Sequence, residues 1–186
     1  RGVGAELVVA SCPRTPSPVL ERLISQGFLF AQRAIQNPGL AKEFVDSLVS
    51  SNDLANRMLV ARRTLLPLSQ RQTLAADEAF EVQWVLRDSR SPEVQAVLVE
   101  SKWEAVRRAV ADQQRLAPAI VGRLLDLAGV DDDWQRILLE RHLSNAPEEA
   151  LVRFIGKAAP QALRYLQSQA GLSERALEAL HRASSH

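Results

Sequence analysis

Six positions of this 186-residue chain form a column, Arg33, Arg57, Trp84, Arg108, Arg136 and Arg164, whose five arginines could bind anions. Each is the third residue of a recurring phrase, read as AQRAIQ from Ala31, ANRMLV from Ala55, VQWVLR from Val82, VRRAVA from Val106, WQRILL from Trp134 and ALRYLQ from Ala162. Guanidinium forks bind carboxylates and phosphates bidentately. On successive repeats stacked about 10 Å apart, these arginines would make a stripe that reads acidic side chains or a nucleic-acid backbone. A second reading competes. Glu104 and Asp112 lie four before and four after Arg108, Asp132 and Glu140 flank Arg136 in the same way, and Asp53 precedes Arg57 by four. Residues four apart are neighbours on a helix, so a ladder of internal ion pairs would absorb the charge. Exposed pairs contribute only about 0.3–0.5 kcal/mol each, yet pairing cancels most of the field a phosphate would feel, and the ladder is favoured. Arg33, flanked by Leu29 and Asn37, and Arg164, flanked by Pro160 and Ser168, have no such acids.

Trp84 interrupts the column, and the residue four before it is Phe80, so both members of the acid–Arg pair are aromatic there. Two rings at a nominally exposed edge suit an interface anchor; a slight rotation of that repeat would bury them instead. Trp103 and Trp134 are weaker candidates, and Trp134, at an apolar first position, is expected in the core. Catalysis has little to stand on. The three histidines are His142, His181 and His186, no nucleophile–base arrangement or Gly-rich phosphate loop is present, and no metal-ligand spacing occurs. Asp131, Asp132 and Asp133 are consecutive at a helix start, where capping is the expected role rather than a metal site. No catalytic residue, metal or small-molecule cofactor is expected.

The elements that position the column follow from the same phrases. Their starts are 24, 27, 24, 28 and 28 residues apart, the signature of a repeat architecture. Apolar residues at the first, fourth and fifth positions share one helical face, which places Ala109 and Val110 inside and Arg107 in solvent. A second helix follows each phrase. Pro67, Pro92, Pro118 and Pro147 stand at its first turn, where a missing N–H costs nothing. Ser91, Asp53 and Ser173 are candidate N-caps, and Gly27, Gly129 and Gly156 are candidate left-handed C′ residues. Apolar faces of the second helices include Leu20, Leu23, Phe44, Val45, Leu48, Val94, Leu98, Leu124, Phe154, Leu177 and Leu180. The segment LSQRQTLAA from Leu68 is the weakest, a single turn or 3₁₀ piece. With the partial unit before Ala31, the expectation is an all-α chain: one α-helical repeat domain over 1–186, an α-solenoid of about seven stacked helical hairpins.

Totals agree. Hydrophobic residues make 46% and charged residues 24%, with aromatics only 5%, which favours packed helices over a disordered or all-β chain. The net charge of +1 provides no long-range field toward nucleic acid or anionic membrane. No apolar run reaches bilayer length. The lone Cys12 fits a reducing compartment, so a cytoplasmic location is expected.

The phrase apolar-Arg-x-x-apolar-Ala followed by a proline-started helix, carried best by TLAADEAFEVQWVL and ESKWEAVRRAVADQ, resembles the leucine-rich repeat variant family and is similar to HEAT-like repeats. The resemblance implies a stack of short helices; units of the variant family alternate α and 3₁₀ helices at a tighter 24-residue period, whereas the later units here read as true helix pairs. An iron–sulfur cluster found in one member of the variant family needs several cysteines and does not carry over to a chain with one. The function expected is a non-enzymatic module that binds a protein partner around Phe80 and Trp84. Nucleic-acid backbone binding through Arg33, Arg57, Arg62, Arg63, Arg108 and Arg164 is the alternative. A glycosylase-type enzyme, which HEAT-like architecture permits, ranks third.

Overall fold

The computed structural model describes residues 3–129 and 131–184, with the side chains of Val3, Phe28 and Asp132 outside that description; His186 also lies outside it. All regular structure among the described residues is helical, and there is no strand. The chain divides into two compact units at Ser89. The first contains α1 (Val3–Ser11), α2 (Ser17–Ser25), α3 (Phe28–Ala34), α4 (Lys42–Val49), α5 (Leu54–Ala61), α6 (Leu68–Ala75) and α7 (Phe80–Leu86). The second contains α8 (Pro92–Leu98), α9 (Glu104–Ala111), α10 (Pro118–Leu127), α11 (Asp132–His142), α12 (Glu148–Ile155), α13 (Pro160–Gln167) and α14 (Glu174–Ser184), with a 3₁₀ turn at Leu143–Asn145. Each of the six phrases lies on an odd-numbered helix. Helices begin at Pro92 and Pro118 and one residue after Pro147, as the φ preference of proline directs.

Within each unit, helices two apart in sequence pack together. In the first, α1 packs on α3, α5 on α7, and α4 on α6, while α2, α4 and α6 each touch the odd helix that follows. In the second, α8, α10, α12 and α14 pack in succession, and α11 lies on α13. Gly122 marks a close approach there: a Cβ at this position would come within 3.3 Å of both Ala150 Cβ and Pro147 Cγ, so α10 and α12 meet almost backbone to side chain. Leu20, Val94, Leu98, Leu124, Leu125, Phe154 and Leu166 are at most 1% exposed and form the apolar cores.

The structure corrects several expectations. Burial falls mainly on the first and fifth positions of the phrases and leaves the fourth half-covered in all but the first, where Ala34 is buried: Val106 and Val110 are buried, but Ala109 is intermediate. A helix advances 100° per residue, so a narrow contact stripe holds i and i+4 and lets i+3 reach its edge. Arg107 is also half-buried, donating to the Ser101 carbonyl at 2.5 Å. Ala55, at a first position, is exposed, and so is Leu177, because α14 buries Ala176, Ala179 and Leu180 instead. The segment from Leu68 is a full α-helix of eight residues, anchored by buried Leu74 and Ala75. Pro67 is its N-cap rather than its first residue. Gly156 ends α12 at φ −62°, and Gly129 is not left-handed either; positive φ occurs at Gly27, which precedes α3, and at Gly171 before α14. Asp53, Asp131 and Ser173 do cap, accepting from the N–H groups of Ala55, Trp134 and Ala176, whereas the Ser91 hydroxyl turns to Glu93.

Two sets of polar side chains hold the helices to their neighbours. At the second position of the phrases, Gln83 and Gln135 are buried, and with Arg107 each reaches the carbonyl six residues earlier, on Asp77, Gly129 and Ser101. Gln135 also accepts from the Ala159 N–H at 2.7 Å, so its amide joins the turn before α11 to the start of α13. At or just past the ends of odd helices, Asn37 donates to the carbonyls of Ala10 and Cys12, Arg63 to those of Ile35 and Asn37, and the His142 Nε2–H to that of Ala111. These three side chains are 3–9% exposed. Each satisfies carbonyls left without helical partners at the end of the preceding odd helix.

These assignments separate adjacent substitutions. Val110→Asp should cost on the order of 3–5 kcal/mol, because it buries an uncompensated charge, while Ala109→Asp should cost less than about 1. Gln135→Leu should cost about 1–3 kcal/mol by stranding a carbonyl and an N–H, against near neutrality for Gln32→Leu. Urea midpoints of the four variants check both contrasts.

Candidate functional site

The arginines of the column have different fates. In the first unit, α5 carries Arg57 to Asp77 in the turn before α7, with Nε–Oδ2 at 2.6 Å and Nη2–Oδ1 at 3.3 Å. Its Nη1 donates to the carbonyls of Ser51 and Asn52. Burial alone would push the Asp77 carboxyl up, but hydrogen bonds from Arg57 and from the Ala79 N–H hold it below the ordinary 3.8. Asp53, the acid four residues before Arg57, spends its carboxylate on the end of α5 instead. Arg33, on α3, is exposed and makes no ion pair among the described residues.

In the second unit, Arg108 bridges Glu104 (2.7 Å) and Asp131 (2.5 Å), and its guanidinium lies 5.1 Å from the centre of the Trp134 ring. Burial works against its charge, and the two carboxylates outweigh it, raising its pKa above the usual arginine value. Asp112 pairs with Arg141, at 3.5 Å, rather than with Arg108. Arg136 pairs with Glu140 on its own helix; the Asp132 side chain is outside the described residues. Arg164 is exposed and without an ion pair among the described residues. Even helices carry a parallel set, Arg123 with Glu100 and Arg153 with Asp126, each through two N–H groups.

The aromatic interruption is a cluster. Phe80 and Trp84 stack with centroids 5.4 Å apart and ring planes 25° from parallel. Both are half-buried on α7, neither core nor free. The Arg87 guanidinium stands 4.4 Å from the Trp84 ring centre while donating to the Trp84 carbonyl at 2.7 Å. The result is a pair of stacked rings, open in part to solvent, with the Arg87 guanidinium over the Trp84 ring and within 3.4 Å of the Asp88 carboxylate. Trp134 is buried, as expected, and Trp103 is 39% exposed beside Lys102.

Sequence reasoning found the pairs within a helix, Arg108–Glu104 and Arg136–Glu140. It missed Asp77 and Asp131, which arrive from the turn before the next odd helix, 20 and 23 residues on. An acid at that offset from a phrase arginine is the signal. His142, one of the three histidines, is buried with its Nε2 on the Ala111 carbonyl. No group of three or more His, Cys, Asp or Glu residues able to hold a metal occurs among the described residues, and none of their helices is long and apolar enough to cross a membrane.

Asp77 gives the first unit an acid-sensitive clasp. Because its folded pKa lies below 3.8, its stabilising contribution is complete above about pH 4 and is lost as pH falls through the folded value. Asp77→Asn should lower stability by about 1–2 kcal/mol near neutral pH. That deficit should shrink as urea unfolding is repeated from about pH 4 downward. No family model, curated protein or solved structure matches the chain.

Proposed function

We propose that the chain is an α-solenoid of about seven stacked helical hairpins, similar to leucine-rich repeat variant and HEAT-like proteins. In this reading it is a non-enzymatic module that binds a protein partner through its repeat surface, in the cytoplasm. Two features support the architecture: odd and even helices alternate throughout, and each kind packs on its own kind within both units. The free, exposed thiol of Cys12 suits a reducing compartment.

The half-open stack of Phe80 and Trp84 under Arg87 carries the functional reading. Aromatic and arginine side chains that are partly desolvated before association are the residues that anchor interfaces. Phosphate binding by the column has less support. Arg57, Arg108 and Arg136 are already neutralised by carboxylates, and Arg63 is 9% exposed and committed to backbone carbonyls.

The repeat itself supplies a test that spares the fold. Phe80→Glu with Trp84→Arg recreates the i,i+4 pair that Glu104 and Arg108 make on α9. The double variant should keep its helicity and melt near the wild-type midpoint. Recovery of partners on the purified chain, compared by mass spectrometry, should fall by at least about tenfold, or ~1.4 kcal/mol. A partner recovered equally well by both proteins would remove Phe80 and Trp84 from the interface. A salt-labile nucleic-acid partner would favour the backbone-binding reading.

A further inference from the structure

We infer that the groove between α1 and α3 docks a peptide segment of a partner protein in which an Asp or Glu is flanked by aliphatic residues. This rests on the reading of the chain as a protein-binding module and names a second site on it, with its chemistry.

The groove consists of two concavities that meet at Arg33. One, of about 560 Å³, is walled by Leu7, Ala10, Leu29 and Pro38. The other, of about 450 Å³, is walled by Leu7, Val8 and the exposed Cys12. Val8 is 70% and Leu29 54% exposed, so aliphatic surface lies on both flanks of the cation. The other polar groups of the groove are largely committed. The Asn37 amide donates to Ala10 and Cys12 and accepts from Gly39, and Gln36 joins the Arg62 carbonyl to Thr64. The Arg33 guanidinium makes no hydrogen bond or ion pair among the described residues.

Its equivalents identify what belongs there. At the same position of three of the four other arginine-bearing phrases, Arg57 holds Asp77, Arg108 holds Glu104 and Asp131, and Arg136 holds Glu140; Arg164, like Arg33, makes no ion pair among the described residues. Arg33 has Leu29 and Asn37 four residues away instead of acids. Asp53, 20 residues on as Asp77 is from Arg57, caps α5 and makes no ion pair with Arg33. The carboxylate that completes the arrangement therefore comes from another molecule. The aliphatic walls require that it be flanked by apolar side chains, which excludes a uniformly acidic tail. With one cation and the exposed Glu6 on α1, the groove has little to attract a charged membrane.

The test pans a random peptide library against the full chain and reads occupancy from alkylation of Cys12, its only cysteine. Enriched peptides should centre on Asp or Glu between Leu, Ile or Val and should slow Cys12 alkylation at least about tenfold at saturation. Arg33→Glu, at an exposed position, should melt like the wild type and switch the enriched centre to Lys or Arg, while Arg33→Lys should retain the acidic preference. Any of three results overturns the inference: no enrichment; acidic peptides that bind Arg33→Glu equally or leave Cys12 reactive; or stronger protection by a phosphopeptide or by phosphatidylserine vesicles. Peptides lost with the Phe80→Glu/Trp84→Arg variant but not with Arg33→Glu would overturn the groove and keep the module. Loss with Arg33→Glu alone would keep the groove and not depend on the aromatic pair.

Discussion

Helices of seven to eleven residues have almost as many end groups as internal ones, and that constraint governs this chain. The first four N–H and last four C=O groups of any helix lack partners within it. In α3, with seven residues, the two sets overlap. Helices shorter than about 12–15 residues are marginal in water on propensity alone, so each must be held by burial against neighbours, and burial removes water from its ends. The buried amides, guanidinium and imidazole of Asn37, Arg63, Gln83, Gln135 and His142 answer that conflict. They take up carbonyls that packing would otherwise strand.

The recurrence of the phrases and the position of prolines made the helices legible before any coordinates. Every phrase is helical because its apolar spacing has only one period that works. What escaped was the burial of polar side chains. Gln135 reads as a surface residue beside Trp134, since nothing local says that the Gly129 carbonyl and the Ala159 N–H converge on it. The α6 helix escaped for the opposite reason: Leu74 and Ala75 anchor its end, and the polar run between Leu68 and Leu74 conceals a helix held by its neighbours. The charges show the same division. Glu104 and Glu140 could be found by counting four residues, but Asp77 and Asp131 depend on how one turn is offset from the next helix, which no single segment encodes.

The arginine column shows how one position takes different surroundings. Where a carboxylate is available, the guanidinium is drawn into the scaffold, and in Arg108 it also covers the face of Trp134. Where the acid is replaced by Phe80, the position turns aromatic and borrows Arg87 from the following turn. Where no acid comes within reach, as at Arg33, the cation remains outward between aliphatic walls. One repeat position thus holds a paired guanidinium, an aromatic stack or an outward cation according to whether an acid stands four or about twenty residues away.

The polar ties have a short reach along the chain. Asn37 to Ala10, Arg63 to Ile35 and His142 to Ala111 span 27, 28 and 31 residues. Chains dominated by such short-range closures lose little entropy before their contacts form, and they reach the native state orders of magnitude faster than sheets built from distant strands. Within each unit these ties run back only to an earlier helix, so ordering can keep pace with synthesis. On a ribosome, the segment already emerged would be held before the next helix leaves the exit tunnel, and little apolar surface would wait exposed.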